Sequence, residues 1–197
     1  TVRMEKNTVS HCASTQGSVR GIAVSSCAAG SRFARNRVFG LRSDDPGMGT
    51  NAPRIEGIRV LGGAARYANN QITLGDTLGS DARLAGISDE SGTANRFIYN
   101  SVVLQGVAAS AGSNDTYAFR RSSSGALLLR NNALVNARDN GSGTGTHFAI
   151  GTSVASGWVG DADPAVGTSN YNFLAARDSA AMGEWASTAQ DFATWKG

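Results

Sequence analysis

The sequence predicts a right-handed parallel β-helix of about six stacked coils, each of roughly thirty residues. Three observations predict it. The chain repeats itself around a recurring asparagine. The segments beside that asparagine alternate apolar and polar residues with the period of a strand. Glycine is abundant, 25 of 197 residues, while proline is scarce at 3, which suits many tight turns between short extended segments.

Arg3–Val9, Arg32–Val38, Arg66–Ile72, Arg96–Val102 and Leu128–Leu134 share one pattern, and Asn170–Leu174 is a weaker sixth copy. In each, an aromatic or aliphatic residue precedes an asparagine, and an aliphatic or β-branched residue follows it. The asparagines are Asn7, Asn36, Asn70, Asn100, Asn132 and Asn172, separated by 29, 34, 30, 32 and 40 residues. Between them lies a second kind of strand: Gly21-Ile22-Ala23-Val24, Gly57-Ile58-Arg59-Val60, Gly86-Ile87-Ser88, Tyr117-Ala118-Phe119 and Phe148-Ala149-Ile150. Each repeat thus holds three short strands, too short to stand alone but able to bury a continuous core when stacked on copies of themselves. The asparagines Asn7, Asn36, Asn70, Asn100 and Asn132 are assigned a structural role. They would sit at one corner in the left-handed backbone region and hydrogen-bond along the axis.

Residues 1–178 are read as coils and residues 179–197 as a C-terminal cap. A helix over 179–195 would place Met182, Trp185, Phe192 and Trp195 against the open coil end, because an uncapped solenoid exposes core and strand edges. The chain opens inside the repeat at Val2-Arg3-Met4. The expectation is a piece of a longer, exported precursor whose open N-terminal coil offers a surface for self-association.

Composition narrows the partners. The formal charge is +3, carried by single arginines scattered along the chain, with Arg120-Arg121 the one adjacent pair. Nucleic-acid binders concentrate basic residues, so no nucleic-acid partner is expected. No run approaches the roughly 20 apolar residues of a membrane span, so no membrane insertion is expected. Cys12 and Cys27 fit one disulfide in an exported protein, or two buried thiols.

The Gly-Ile-x-Val strand, the short turn and the Phe/Tyr-x-x-Asn-x-Val/Ile segment resemble the coil of the pectin-lyase-like superfamily, in particular repeats of carbohydrate-binding proteins and sugar hydrolases. The tail, Ser169-Asn170-Tyr171-Asn172-Phe173-Leu174 followed by Met182-Gly183-Glu184-Trp185, is similar to the last coils of secreted bacterial β-helices. The resemblance orders the coil. The Gly-Ile-x-Val strands form the first sheet, the residues before the asparagine the second, and those after it the third. Loops 10–20, 41–56, 75–85, 106–116 and 138–147 then wall a groove beside the first sheet, where the family binds oligosaccharides. It implies a secreted or cell-surface protein with a polysaccharide partner.

Cleavage of a sugar chain needs paired carboxylates or a Ca²⁺-assisted base. The loops offer Asp44, Asp45, Asp76, Asp81, Asp89, Glu90, Asp115, Asp139, Asp161 and Asp163. Of these, Asp44, Asp45 and Asp81 are the catalytic candidates. Arg59, Asp89 and Arg120 are the substrate-binding candidates. Ca²⁺ is the one cofactor such acids would admit; no metal site has ligand spacing. Asp44-Asp45-Pro46-Gly47 is equally a turn. His11 and His147 lie on different coils with no partner at ligand spacing. Asn114-Asp115-Thr116 matches the N-glycosylation pattern. The family's three-aspartate and Ca²⁺ clusters are not intact, so a polysaccharide-binding module is the leading reading. A lyase or glycoside hydrolase in the groove and a structural or assembly module are the alternatives.

Overall fold

Short alternating strands with little helix-forming periodicity can bury their apolar face only by stacking, and the computed structural model shows them doing so. It describes residues 1–47, 51–75, 81–107, 112–139, 141–154 and 169–196. The architecture is an all-β parallel solenoid of about five turns. The first sheet runs through Val19–Val24, Arg54–Val60, Arg83–Asp89, Thr116–Arg121 and His147–Thr152. The second holds Arg3–Glu5, Ser31–Ala34, Ala65–Ala68, Asn95–Ile98, Leu127–Arg130 and Ser169–Asn170. The third holds Thr8–Ser10, Arg37–Phe39, Gln71–Leu74, Ser101–Leu104, Ala133–Asn136 and Phe173–Ala176. The six repeat copies are six rungs, which enclose five full turns; this accounts for the difference from the expected six coils.

Stacking puts equivalent residues in register, so the core is a set of columns. Ile22, Ile58, Ile87, Phe119 and Ile150 pair in sequence and are buried. Phe33, Tyr67 and Phe97 stack with ring centroids 5.1 and 4.8 Å apart. The glycines before Ile22, Ile58 and Ile87 are required by close approach. A Cβ on Gly86 would overlap Val102 Cγ1 of the third sheet and the Ala118 carbonyl oxygen. Its absence lets the first sheet close onto the third.

The asparagines form one axial ladder. Nδ2 of Asn7, Asn36, Asn70, Asn100 and Asn132 donates to Oδ1 of the next asparagine at 3.0, 3.0, 2.9, 3.0 and 2.9 Å. Each Oδ1 also accepts the preceding asparagine's backbone N–H. One expectation is corrected. The left-handed residue is the one before each asparagine: Lys6, Arg35, Asn69, Tyr99, Asn131 and Tyr171, with φ of 54–60°. That residue turns the corner with its side chain outward, which aims the asparagine inward.

The cap also differs from the expected helix. Ser179–Ala181 is a single 3-10 turn, Gly183–Trp185 pairs parallel with the strand His147–Thr152, and Thr188–Gln190 folds back antiparallel. Only Phe192–Lys196 is helical. Added strands satisfy the edge's backbone groups, which a helix would leave open. Trp185 and Trp195 pack against the core, edge to face at 6.1 Å; Met182 is half-buried and Phe192 exposed.

Of the two readings of the cysteines, neither a disulfide nor a pair of buried thiols is seen. Cys12 is an exposed thiol and Cys27 a half-buried one packed against the core. They occupy different corners: Cys12 follows the third-sheet strand Thr8–Ser10, and Cys27 follows the first-sheet strand Val19–Val24.

Candidate functional site

Alternation along the first sheet breaks at its glycine, or at the Ala118 and Ala149 that replace it, so residues two apart face opposite ways. Phe119 enters the core, whereas Tyr117 belongs to the outer row of Arg20, Glu56, Ala85 and Phe148. A second outer row runs Ala23, Arg59, Ser88, Arg120, Gly151 and Glu184. Between these rows and the loop before Thr116 lies an open groove of about 220 Å³, lined chiefly by Arg54, Arg83, Arg120, Asn114, Asp115 and Tyr117.

An ion-pair network flanks one end, reached from the lining through Glu56 and through Arg54, which lies 3.6 Å from Glu90. Arg59 bonds Glu90 at 2.9 Å and lies 3.6 Å from Glu56, which bonds Arg20 at 2.9 Å. The Glu90 bond, and Glu56 beyond it, hold the Arg59 guanidinium above its usual pKa. Burial pushes the Glu90 carboxyl up, but the bond and charge of Arg59, the Ser88 hydroxyl and the Arg54 charge together outweigh it, and the net direction is down.

The other end is less compensated. Tyr117 stacks on Phe148 at 5.3 Å, and the Arg120 guanidinium lies 5.4 Å from the Tyr117 ring centroid. The Tyr117 hydroxyl is bonded to Glu184. Burial raises the Glu184 carboxyl above the usual range, despite the Tyr117 bond and Arg120. Burial also raises the Tyr117 hydroxyl, and the Glu184 charge adds to it. Gly151 keeps this corner open: a Cβ there would strike the Tyr117 ring.

The residues expected from the sequence divide. Arg59 and Arg120 share an outer row, and Arg120 lines the groove. Asp44 is ion-paired to Arg42 at 2.6 Å. Asp45 accepts the backbone N–H groups of Gly17 and Gly47 at 2.5 and 2.9 Å, so this pair is turn chemistry. Asp81 is buried and holds the groove wall from behind, accepting from Ser113 N at 3.1 Å and Asn114 Nδ2 at 2.6 Å. Asn114 is itself buried with its amide nitrogen so engaged, which is not the posture of a glycan acceptor.

Asp89 departs from its expected place. It is fully buried at the inner end of its strand, beside Arg121 in register, and accepts from Ser91 Oγ at 2.6 Å and Asn95 Nδ2 at 3.2 Å. Asp81 and Asp89 thus flank opposite ends of the strand Arg83–Asp89 and cannot share a cation. Asp76, Asp161 and Asp163 lie outside the described residues. Among the described residues no three His, Cys, Asp or Glu side chains gather as a metal site.

A second cavity, of about 530 Å³, lies between Arg138, His147 and Arg177. Arg177 is paired with Asp139 at 2.9 Å, and Thr116 Oγ1 lies 2.9 Å from His147 Nδ1. Burial, with Arg138 nearby, pushes the His147 imidazole below its usual pKa and toward the neutral form.

Sequence reasoning missed Tyr117 and Glu184. Strict alternation puts Tyr117 on the side of Phe119, and the helix expected over 179–195 takes in Glu184. The signal available was the break in alternation at the small residue, which recurs in every copy of the first-sheet strand.

The fold and groove define a parallel β-solenoid with a polar cleft along one sheet. Comparison of the chain with protein-family models, curated proteins and solved structures gives no match.

Proposed function

We propose that this chain is an exported or surface β-helix module that binds polysaccharide in the groove over its first sheet. The observation that carries the reading is the lining. Guanidinium groups of Arg54, Arg83 and Arg120, the Asp115 carboxylate and Tyr117 line one open groove that spans three successive strands of the first sheet. Hydroxyl-rich polymers need such a mix of donors and acceptors, and planar guanidinium forks bond paired oxygens well. The resemblance to pectin-lyase-like coils supports the same groove. Acids and bases are nearly balanced there, which favours a neutral or weakly charged chain.

A second reading rests on Glu184. A carboxyl raised by burial and bonded to a tyrosine, with Asp115 and Arg120 close enough to act on its charge, is the environment of a general acid. In that case the module is a glycoside hydrolase.

Affinity electrophoresis against neutral cell-wall polysaccharides tests both. The double variant Arg54→Ala, Arg120→Ala is expected to lose roughly tenfold or more in affinity, as charged hydrogen bonds are worth about 1.5–3 kcal/mol each. Unchanged retardation would remove the groove from the account. Release of reducing ends by the parent chain but not by Glu184→Gln would move the hydrolase reading ahead.

A further inference from the structure

The arginines that look scattered in sequence become a column in space. Arg3, Arg32, Arg66 and Arg96 are successive register partners on the outer face of the second sheet. Adjacent strands are about 4.8 Å apart, so these guanidinium stems emerge at that spacing along a straight line. Like charges directly opposite one another on a sheet are destabilising, so an unmatched column calls for a counter-charge.

At the N-terminal end the chain supplies it. Glu5 receives Arg3 at 3.1 Å, Arg32 at 2.9 Å and Arg35 at 2.6 Å. Hydrogen bonds from Arg3 and Arg35 pull its carboxyl down to about 2. The register positions that follow Glu5 hold Ala34, Ala68 and Ile98, and the next holds Arg130. The acid is therefore replaced by small or apolar residues where the column continues. Arg66 and Arg96 are exposed, and Arg130 is half-buried with its Nε lacking a hydrogen-bond partner. Among the described residues none of these three forms an ion pair.

We propose that Arg66, Arg96 and Arg130, on three consecutive rungs of the second sheet, bind the carboxylates or sulfates of an extended acidic polysaccharide. Glu5 shows the pose: an oxyanion seated among guanidiniums at the first rungs, with the later rungs left for the ligand's own anions. Arg66 and Arg96 stand side by side, and Arg130 stands on the next rung at the register position of Ile98, where Leu128 continues the Arg96 column, so the site runs obliquely across the sheet past Ala68 and Ile98. An extended glycan bearing one acid per sugar can follow that line, whereas a nucleic-acid duplex curves away. Sequence-tolerant single-strand binding uses a row of stacking aromatics, whereas the two exposed tyrosines at the adjoining corner, Tyr99 and Tyr171, are separated by the rung of Asn131. This face is separate from the first-sheet groove and does not depend on what occupies it.

The test is retention of the full chain on immobilised alginate and heparin at physiological salt, with dextran as the neutral control. The parent chain is expected to be retained on one or both acidic polymers and released as salt screens the contacts. The triple variant Arg66→Ser, Arg96→Ser, Arg130→Ser is expected to weaken binding at least tenfold, and the exposed pair Arg66→Ser, Arg96→Ser to weaken it severalfold with unchanged circular dichroism. The groove variant Arg54→Ala, Arg120→Ala is expected to bind the acidic polymers as the parent does. Failure of the parent to bind either polymer, full retention of the exposed-pair variant, or loss of binding in the groove variant would each overturn the assignment. Tighter, column-dependent binding of single-stranded DNA than of either glycan would replace its occupant.

Discussion

Asn100→Ala is expected to destabilise the chain by at least about 3 kcal/mol, because every polar atom it abandons is buried. Asn100 Oδ1 accepts both the backbone and side-chain N–H groups of Asn70, at 3.0 and 2.9 Å. Its Nδ2 donates to Tyr67 O and Asn132 Oδ1, each at 3.0 Å. Truncation leaves these buried partners unsatisfied, at about 1–3 kcal/mol apiece. The end of the ladder is the internal control. Asn7 is exposed and its Nδ2 bonds Asn36 Oδ1 where solvent can substitute, so Asn7→Ala is expected to cost at most about 1 kcal/mol. Urea unfolding of the two variants measures the difference. Equal midpoints would mean that the ladder decorates the corner and does not hold it.

Asp89→Ala is expected to cost about 3–5 kcal/mol, because it strands the donors of Ser91 and of buried Asn95 and removes the charge that offsets the buried Arg121 guanidinium. Asp89 and Arg121 are register neighbours and both fully buried. Burial lowers the Arg121 guanidinium and raises the Asp89 carboxyl, while each charge partly restores the other. Deleting the carboxylate removes the negative charge beside a buried guanidinium. The pH dependence separates this from simple loss of packing. A carboxyl raised in the folded chain stays protonated there after its unfolded counterpart has ionised. Stability from this group is therefore greatest below the ordinary aspartate pKa and declines as pH rises toward the folded value. Asp89→Asn keeps an acceptor for Ser91 and is expected to abolish that decline. Identical pH profiles for Asp89→Asn and the parent would show that folding does not shift the Asp89 carboxyl.

Much of the fold was legible because a solenoid writes its register into the sequence. The asparagine spacing marked the corner, and the paired apolar residues of Gly-Ile-x-Val marked the inner face. The place of the left-handed residue was not legible. Lys6, Arg35, Asn69, Tyr99, Asn131 and Tyr171 share no chemistry, since only the backbone is selected there. The cap misled because Ala, Met, Glu and Trp favour helix locally, while the open edge at Ile150–Thr152 recruits Gly183–Trp185 as a strand.

The candidate site was less legible than the fold. Acid-rich turns drew attention to Asp44, Asp45, Asp81 and Asp89, yet local backbone or buried partners engage all but Asp44, which pairs with Arg42. Arg120 was found from its strand position. Tyr117 and Glu184 depend on a sheet bend and an added strand that pair alternation does not encode. The cationic column shows the converse case. Single arginines about thirty residues apart look dispersed until parallel register sets them side by side.

Chemical-shift mapping tests the groove most directly. Isotope-labelled protein would be titrated with the oligosaccharide of whichever neutral polysaccharide retards it most. The account predicts that backbone and side-chain shifts concentrate at Arg54, Arg83, Asn114, Tyr117, Arg120 and Glu184, on the outer face of the first sheet. Saturable shifts confined to the second or third sheet, with those residues unmoved, would contradict it.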